Sequence, residues 1–95
     1  MKKYVKADSG LRSGASFTLF DMLPTFSNGD RIDLQNNQGT IWSGTVREFN
    51  EFGEYDYFTD NAGYEFEKEQ LMSSHVSLIR PFRDVLIIGL VDLDM

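Results

Sequence analysis

The stretch that decides the fold is "GTIWSGTVREFNEFGEYDYF", residues 39–58. Apolar and polar residues follow one another at strand spacing, yet glycines interrupt the run at 39, 44 and 53. From Thr40 to Phe49 it reads as one strand of about ten residues, longer than the usual 5–6 or so. A strand of that length in a small β domain has to curl, and glycine permits a bend or bulge without a side-chain clash. Ile41 and Trp42 precede Gly44, while Val46 and Phe49 follow it. One flat strand cannot turn all four inward. Gly44 is therefore expected to be a barrel corner.

The flanks extend the pattern. "SNGD" at 27–30 is a turn, and "RIDLQ" at 31–35 alternates, with Ile32 and Leu34 against Arg31, Asp33 and Gln35. "NNQG" at 36–39 reads as a hairpin loop. "EYDYFTD" at 54–60 is strand-like with Tyr55 and Tyr57 on one face, and "DNAG" at 60–63 is another turn. "YEFEKE" at 64–69 sets Tyr64 and Phe66 opposite its glutamates, although "EKEQLM" carries helical propensity. A strand through Val76, Leu78 and Ile79 is expected to stop at Pro81. "DVLIIGLVDLD", from Asp84, has no alternation, which predicts a strand covered on both faces. At the other end, "SFTLFDMLPTF" over 16–26 predicts a short helix. Ser16 would be its N-cap, Phe17, Phe20, Met22 and Leu23 would cover one side, and Pro24 would limit it.

These elements form one domain over 1–95: an irregular basic arm at 1–15, a helix at 16–26, a barrel core at 30–82 and an extra strand at 84–93. The fold class is all-β, a small, strongly bent, five-stranded antiparallel barrel of the SH3-like or Sm-like kind. It carries a short N-terminal helix and an extra C-terminal strand.

Composition narrows the chemistry. Hydrophobic residues make up 41% and aromatics 14%, a globular rather than a disordered balance. With no cysteine there is no disulfide, thiolate nucleophile or thiolate metal site. The longest apolar run, "VLIIGLV" at 85–91, falls far short of the ~20 residues that span a bilayer, and "MKKYVKADSG" has no apolar stretch behind its lysines. A soluble, cytoplasmic protein without a membrane partner is expected. Lys2, Lys3, Lys6 and Arg12 oppose Asp8 alone in the arm, whereas the remainder has five basic and fourteen acidic side chains. An acidic body repels phosphate and counts against tight nonspecific nucleic-acid binding.

The segment from Ile32 to Phe82 resembles the Sm/LSm family and its bacterial Hfq branch. Gly39 and Gly44 stand five apart, "FNEF" at 49–52 occupies the position of the family's "F-D-x-F" turn, and "LMSSHVSLIRPF" at 71–82 looks like its second motif. The resemblance implies a homo-oligomeric ring in which the fourth strand of one subunit pairs with the fifth of the next. Here those edges would be "YEFEKEQ" and "VSLIRPF". It also implies single-stranded RNA, or DNA, held at the pore by two turns.

Carried over singly, the first turn supplies Asn50, Phe52 and Glu54, with Glu54 departing from the family's asparagine. The second supplies Ser73, Ser74 and the displaced His75, with Met72 where the family has a basic or Hfq-type residue. Phe52 would stack a base and Asn50 would read a base edge. Each has a structural alternative: a packed aromatic at Phe52, turn caps at Ser73 and Ser74, and a hydrogen-bonded surface histidine at His75.

No "GxxxxGK", "GxSxG" or zinc histidine pair is present, so catalysis, a metal and a cofactor are not expected. Two other functions fit the sequence. One is an SH3-like interaction or inhibitor module whose acidic face binds a basic partner, as a phage-encoded protein does in charge mimicry. The other is a structural assembly subunit.

Overall fold

A computed structural model of the protein describes residues 17–93. The architecture is mostly β, with a four-stranded mixed sheet, a two-stranded sheet and short helices. Chain order begins with α1 (Leu19–Met22), a 3-10 turn (Leu23–Thr25), β1 (Arg31–Asn36), β2 (Gly39–Thr45) and α2 (Val46–Asn50). There follow β3 (Tyr57–Thr59), β4 (Glu65–Glu67), α3 (Lys68–Ser73), β5 (Val76–Phe82), β6 (Val85–Leu90) and a 3-10 turn (Val91–Leu93). The irregular arm and the proposed Ser16 cap lie outside the described residues.

The large sheet runs β2-β1-β6-β5, with β1 and β6 parallel and the other neighbours antiparallel. The C-terminal strand is therefore the inside of the sheet and not an addition to it. Its lack of alternation has the expected cause: Ile88 and Leu90 enter the main core, while Ile87 is buried outside that cluster. Among the described residues the two sheets do not join into a closed barrel, and the sheet is not wholly antiparallel.

The long second strand is shorter than its spacing predicts. It ends at Thr45, and residues expected to continue it to Phe49 are helical in α2. The switch is local. Thr45 Oγ1 accepts from the Glu48 N–H at 3.1 Å, and Glu48 Oε1 accepts from the Thr45 N–H at 2.8 Å. This reciprocal box satisfies two donors that a helix start leaves open. The Thr45 hydrogen bonds, backbone first, hold the Glu48 carboxyl below its usual pKa, with the Arg31 charge as a smaller contribution.

The change of phase also has a different cause. Leu34 pairs with Trp42 and Gln35 with Thr40, so Ile41 is an extra residue in a β-bulge. The bulge lets Ile41 enter the core while Trp42 packs against it. Gly44 is no corner. A Cβ there would lie 2.6 Å from Trp42 Cη2 and Cζ2 and 2.9 Å from Glu48 Oε1. The glycine is the floor on which the indole rests.

One core face of the large sheet meets all three helices and the small sheet. Leu19, Ile32, Leu34, Phe49, Leu71 and Ile88 are wholly buried there, with Phe58 and Phe66 supplied by β3 and β4. In α1 the inward residues are Leu19 and Leu23, while Phe17 and Phe20 are exposed, contrary to the expected face. Thr18 is the cap, accepting from the Asp21 N–H. β5 continues through Pro81 to Phe82, because an edge strand accommodates a residue without an N–H. A two-residue turn then reverses the chain, with Arg83 at φ 58°.

Candidate functional site

The two turns proposed as one site are held at opposite ends of α3. At its start, the Lys68 N–H donates to the Asp56 carbonyl (3.0 Å) and the Glu69 N–H to the Glu54 carbonyl (3.2 Å). Lys68 Nζ donates to the carbonyls of Phe52 at 2.7 Å and Asn50 at 3.4 Å. It also sits 5.2 Å from the Phe49 ring centroid. Burial pushes the Lys68 ammonium below its usual pKa, opposed by the Asp56 charge. This cation is turned inward as a cap on α2, where the helix dipole favours positive charge.

At the other end, Ser73 Oγ donates to the Glu69 carbonyl at 2.8 Å. Ser74 is buried, and its Oγ has no hydrogen-bond partner among the described residues. His75 is surface-lying. Its N–H donates to Asp92 Oδ2 at 3.0 Å and its Nδ1 lies 2.7 Å from the same oxygen, which ties β5 to the last 3-10 turn. A helix of this length separates the turns by about 7.5 Å along its axis.

Phe52 is half-buried in an aromatic cluster. Its ring lies edge-on to Phe58 at 5.0 Å and Trp42 at 5.8 Å, and Trp42 and Phe49 are 5.4 Å apart. These separations fall in the favourable range for tilted and edge-to-face rings. The cluster fastens α2 and β3 to the bulged strand. Asn50 and Glu54 are exposed.

A different surface emerges from the same segment. Residues 48–69 hold eight carboxylates (Glu48, Glu51, Glu54, Asp56, Asp60, Glu65, Glu67, Glu69) and a single cation, Lys68. In the small sheet Tyr57 pairs with Glu67 and Thr59 with Glu65, so these four share the face opposite Phe58 and Phe66. Tyr55 and Tyr57 are each 66% exposed and Tyr64 is 52% exposed. Tyr55 reports how the acids crowd this face. The Glu54 charge and hydrogen bond, then Glu69, slight desolvation and Glu67, push its hydroxyl above the usual pKa.

Some of the acids build the scaffold. Asp56 Oδ2 accepts from the Gly53 N–H at 2.7 Å, closing the turn before β3. Asp60 is buried, and Asn36 Nδ2 donates to it at 2.9 Å and to the Leu93 carbonyl at 2.9 Å. Burial alone would raise the Asp60 carboxyl. Hydrogen bonds from Asn36 and from the amides of Tyr64, Ala62 and Gly63 outweigh it, so the net pKa is lowered.

Among the described residues no group of three His, Cys, Asp or Glu is placed to hold a metal ion, and no helix is long and apolar enough to cross a membrane. No family model, characterised protein or solved structure matches this chain. The acidic tyrosine face escaped the sequence-based choice of site. Its signal was legible as "EYDY" and "YEFEKE", but alternate glutamates also describe any solvated strand.

Proposed function

We propose that this chain is a non-enzymatic interaction module that presents an acidic, tyrosine-bearing face to a basic protein segment. The observation that carries this reading is the face of β3 and β4 together with the start of α3. Exposed tyrosines alternate there with glutamates, and the one cation in the segment is spent on capping α2. Arginine and lysine side chains suit such a surface. The carboxylates attract the charge, while the tyrosine rings take the guanidinium or the aliphatic stem by cation–π and apolar contact. A segment of that kind normally meets nucleic-acid phosphate, so the natural partner class is a nucleic-acid-binding protein, engaged by charge mimicry.

Titration calorimetry with an arginine-rich peptide tests the reading. Binding should be strong at low salt, weaken as salt rises, and fall in a variant carrying Glu54→Gln, Glu65→Gln, Glu67→Gln and Glu69→Gln. A peptide that ignores the protein at low ionic strength sinks the proposal.

A second reading keeps the ring-forming, Sm-like binder of single-stranded RNA or DNA, with the bent five-stranded barrel as its fold. What favours it is the exposed Asn50 side chain beside a partly accessible Phe52. Light scattering and oligonucleotide titration of the protein and of Phe52→Ala test it. A monomer that does not bind RNA removes it.

A further inference from the structure

We propose that the outer edge of β5 is the docking site for this chain's own N-terminal segment, residues 11–16, added to the large sheet as a fifth strand. β6 occupies one side of β5, and the other side is an edge. The first rung on that edge already exists. Thr18 and His75 form an antiparallel bridge, closed by Leu19 N–H to the Ser74 carbonyl (3.0 Å) and Val76 N–H to the Phe17 carbonyl (2.7 Å). Two such bonds flanking one residue pair are the repeating unit of an antiparallel ladder. The chain preceding Phe17 therefore heads along β5 from Val76 toward Phe82.

The lengths match. Six residues before Phe17 is Leu11, and six after Val76 is Phe82, an exposed aromatic at the far end of the strand. The backbone of β5 is ready for a partner. A two-residue hairpin closes on a hydrogen-bonded pair, here Phe82 with Val85, so Arg80 also faces β6. By alternation, Ile79 and Pro81 direct their backbone groups outward. Ile79 thus offers an N–H and a carbonyl on the open edge, while Pro81 offers no donor and marks where pairing ends. The occupied edge would be closed to other strands. That removes a template for open-ended association, and partners would have to displace the segment to gain it.

The absence of cysteine makes cross-linking clean. Under mild oxidation, a variant with Ala15→Cys and Ile79→Cys should close a disulfide within the monomer. A control with Ala15→Cys and Ser43→Cys, which targets β2 on the opposite edge, should not. In the cysteine-free protein the Ile79 amide should exchange about tenfold more slowly than in Ala15→Pro, whose segment cannot supply a full ladder. That protection should not change with protein concentration. Three results overturn the proposal: equal cross-linking of both pairs, disulfide-linked dimers with protection lost on dilution (a second copy on the edge), or an Ile79 amide unaffected by Ala15→Pro.

Discussion

The four-stranded sheet and the acidic lobe over 46–69 are held by different forces. The sheet depends on long-range pairing: β1 meets β6, its parallel neighbour, across about fifty intervening residues. Its register follows which side chains are buried, and a slip would carry Ile32 and Leu34 to the wrong face. The lobe has only one short two-stranded sheet and is assembled from local devices instead. These are the Thr45–Glu48 box, the Gly53–Asp56 turn, the Lys68 cap and the rings around Trp42. A region stabilised locally can carry a dense charge on its outside, because its fold does not rely on that face. Half of the molecule specifies the fold, and the other half displays a surface.

Substitutions sharpen this contrast. The largest effect is expected in the sheet. Ile88→Ala empties a fully buried position on the central strand and should cost about 2–5 kcal/mol in urea unfolding. A cost below that range would mean the two halves share stability more evenly. At the junction, Gly44→Ala drives a methyl group into the Trp42 ring and should cost about 1–3 kcal/mol. Tryptophan emission should shift to the red as the indole leaves its floor, and an unchanged spectrum would contradict the close approach.

Within the lobe, Thr45→Ala removes half of a capping box and should cost about 1 kcal/mol, with loss of helical circular dichroism from α2. Acid acts on the same local devices. Glu48 and Asp60 titrate below their ordinary range in the folded chain, so the unfolded chain takes up their protons first as pH falls. Their contribution is complete above about pH 4 and is lost as pH drops through their folded values. Urea midpoints measured downward from pH 7 should therefore decline below that point, and Asp60→Asn should flatten the decline. The smallest change in stability belongs to Tyr57→Ala on the outer face, within about 0.5 kcal/mol. The same variant should bind an arginine-rich peptide roughly fivefold more weakly.

Much of the strand pattern was legible in the residues. The alternation of "RIDLQ" and the unbroken run "VLIIG" identify β1 and β6, since burial on one face or two leaves a direct trace in polarity. Two errors came from the stretch 39–58. "TVRE" is a capping box in plain text, yet the apolar spacing around it also fits a strand, and the local hydrogen bonds decide for helix. Gly44 signals a special position without saying which. A bend and an overlying ring make the same demand on the residue, and only the placement of Trp42 separates them. The candidate site was less legible, because the turns at 50–54 and 73–75 are joined or parted by α3, whose start is hidden in a glutamate-rich strand pattern.

The amino-acid order alone determined a small, cysteine-free, acidic, largely β chain with its apolar strands and most of its turns in place. Which strands became neighbours, and which acids faced outward together, was decided by tertiary structure. Polarity along a strand records how many of its faces are covered but not what covers them, so β6 between β1 and β5 could not be read in advance. Likewise, a list of glutamates and tyrosines becomes a surface only when β3, β4 and the start of α3 bring them onto one side.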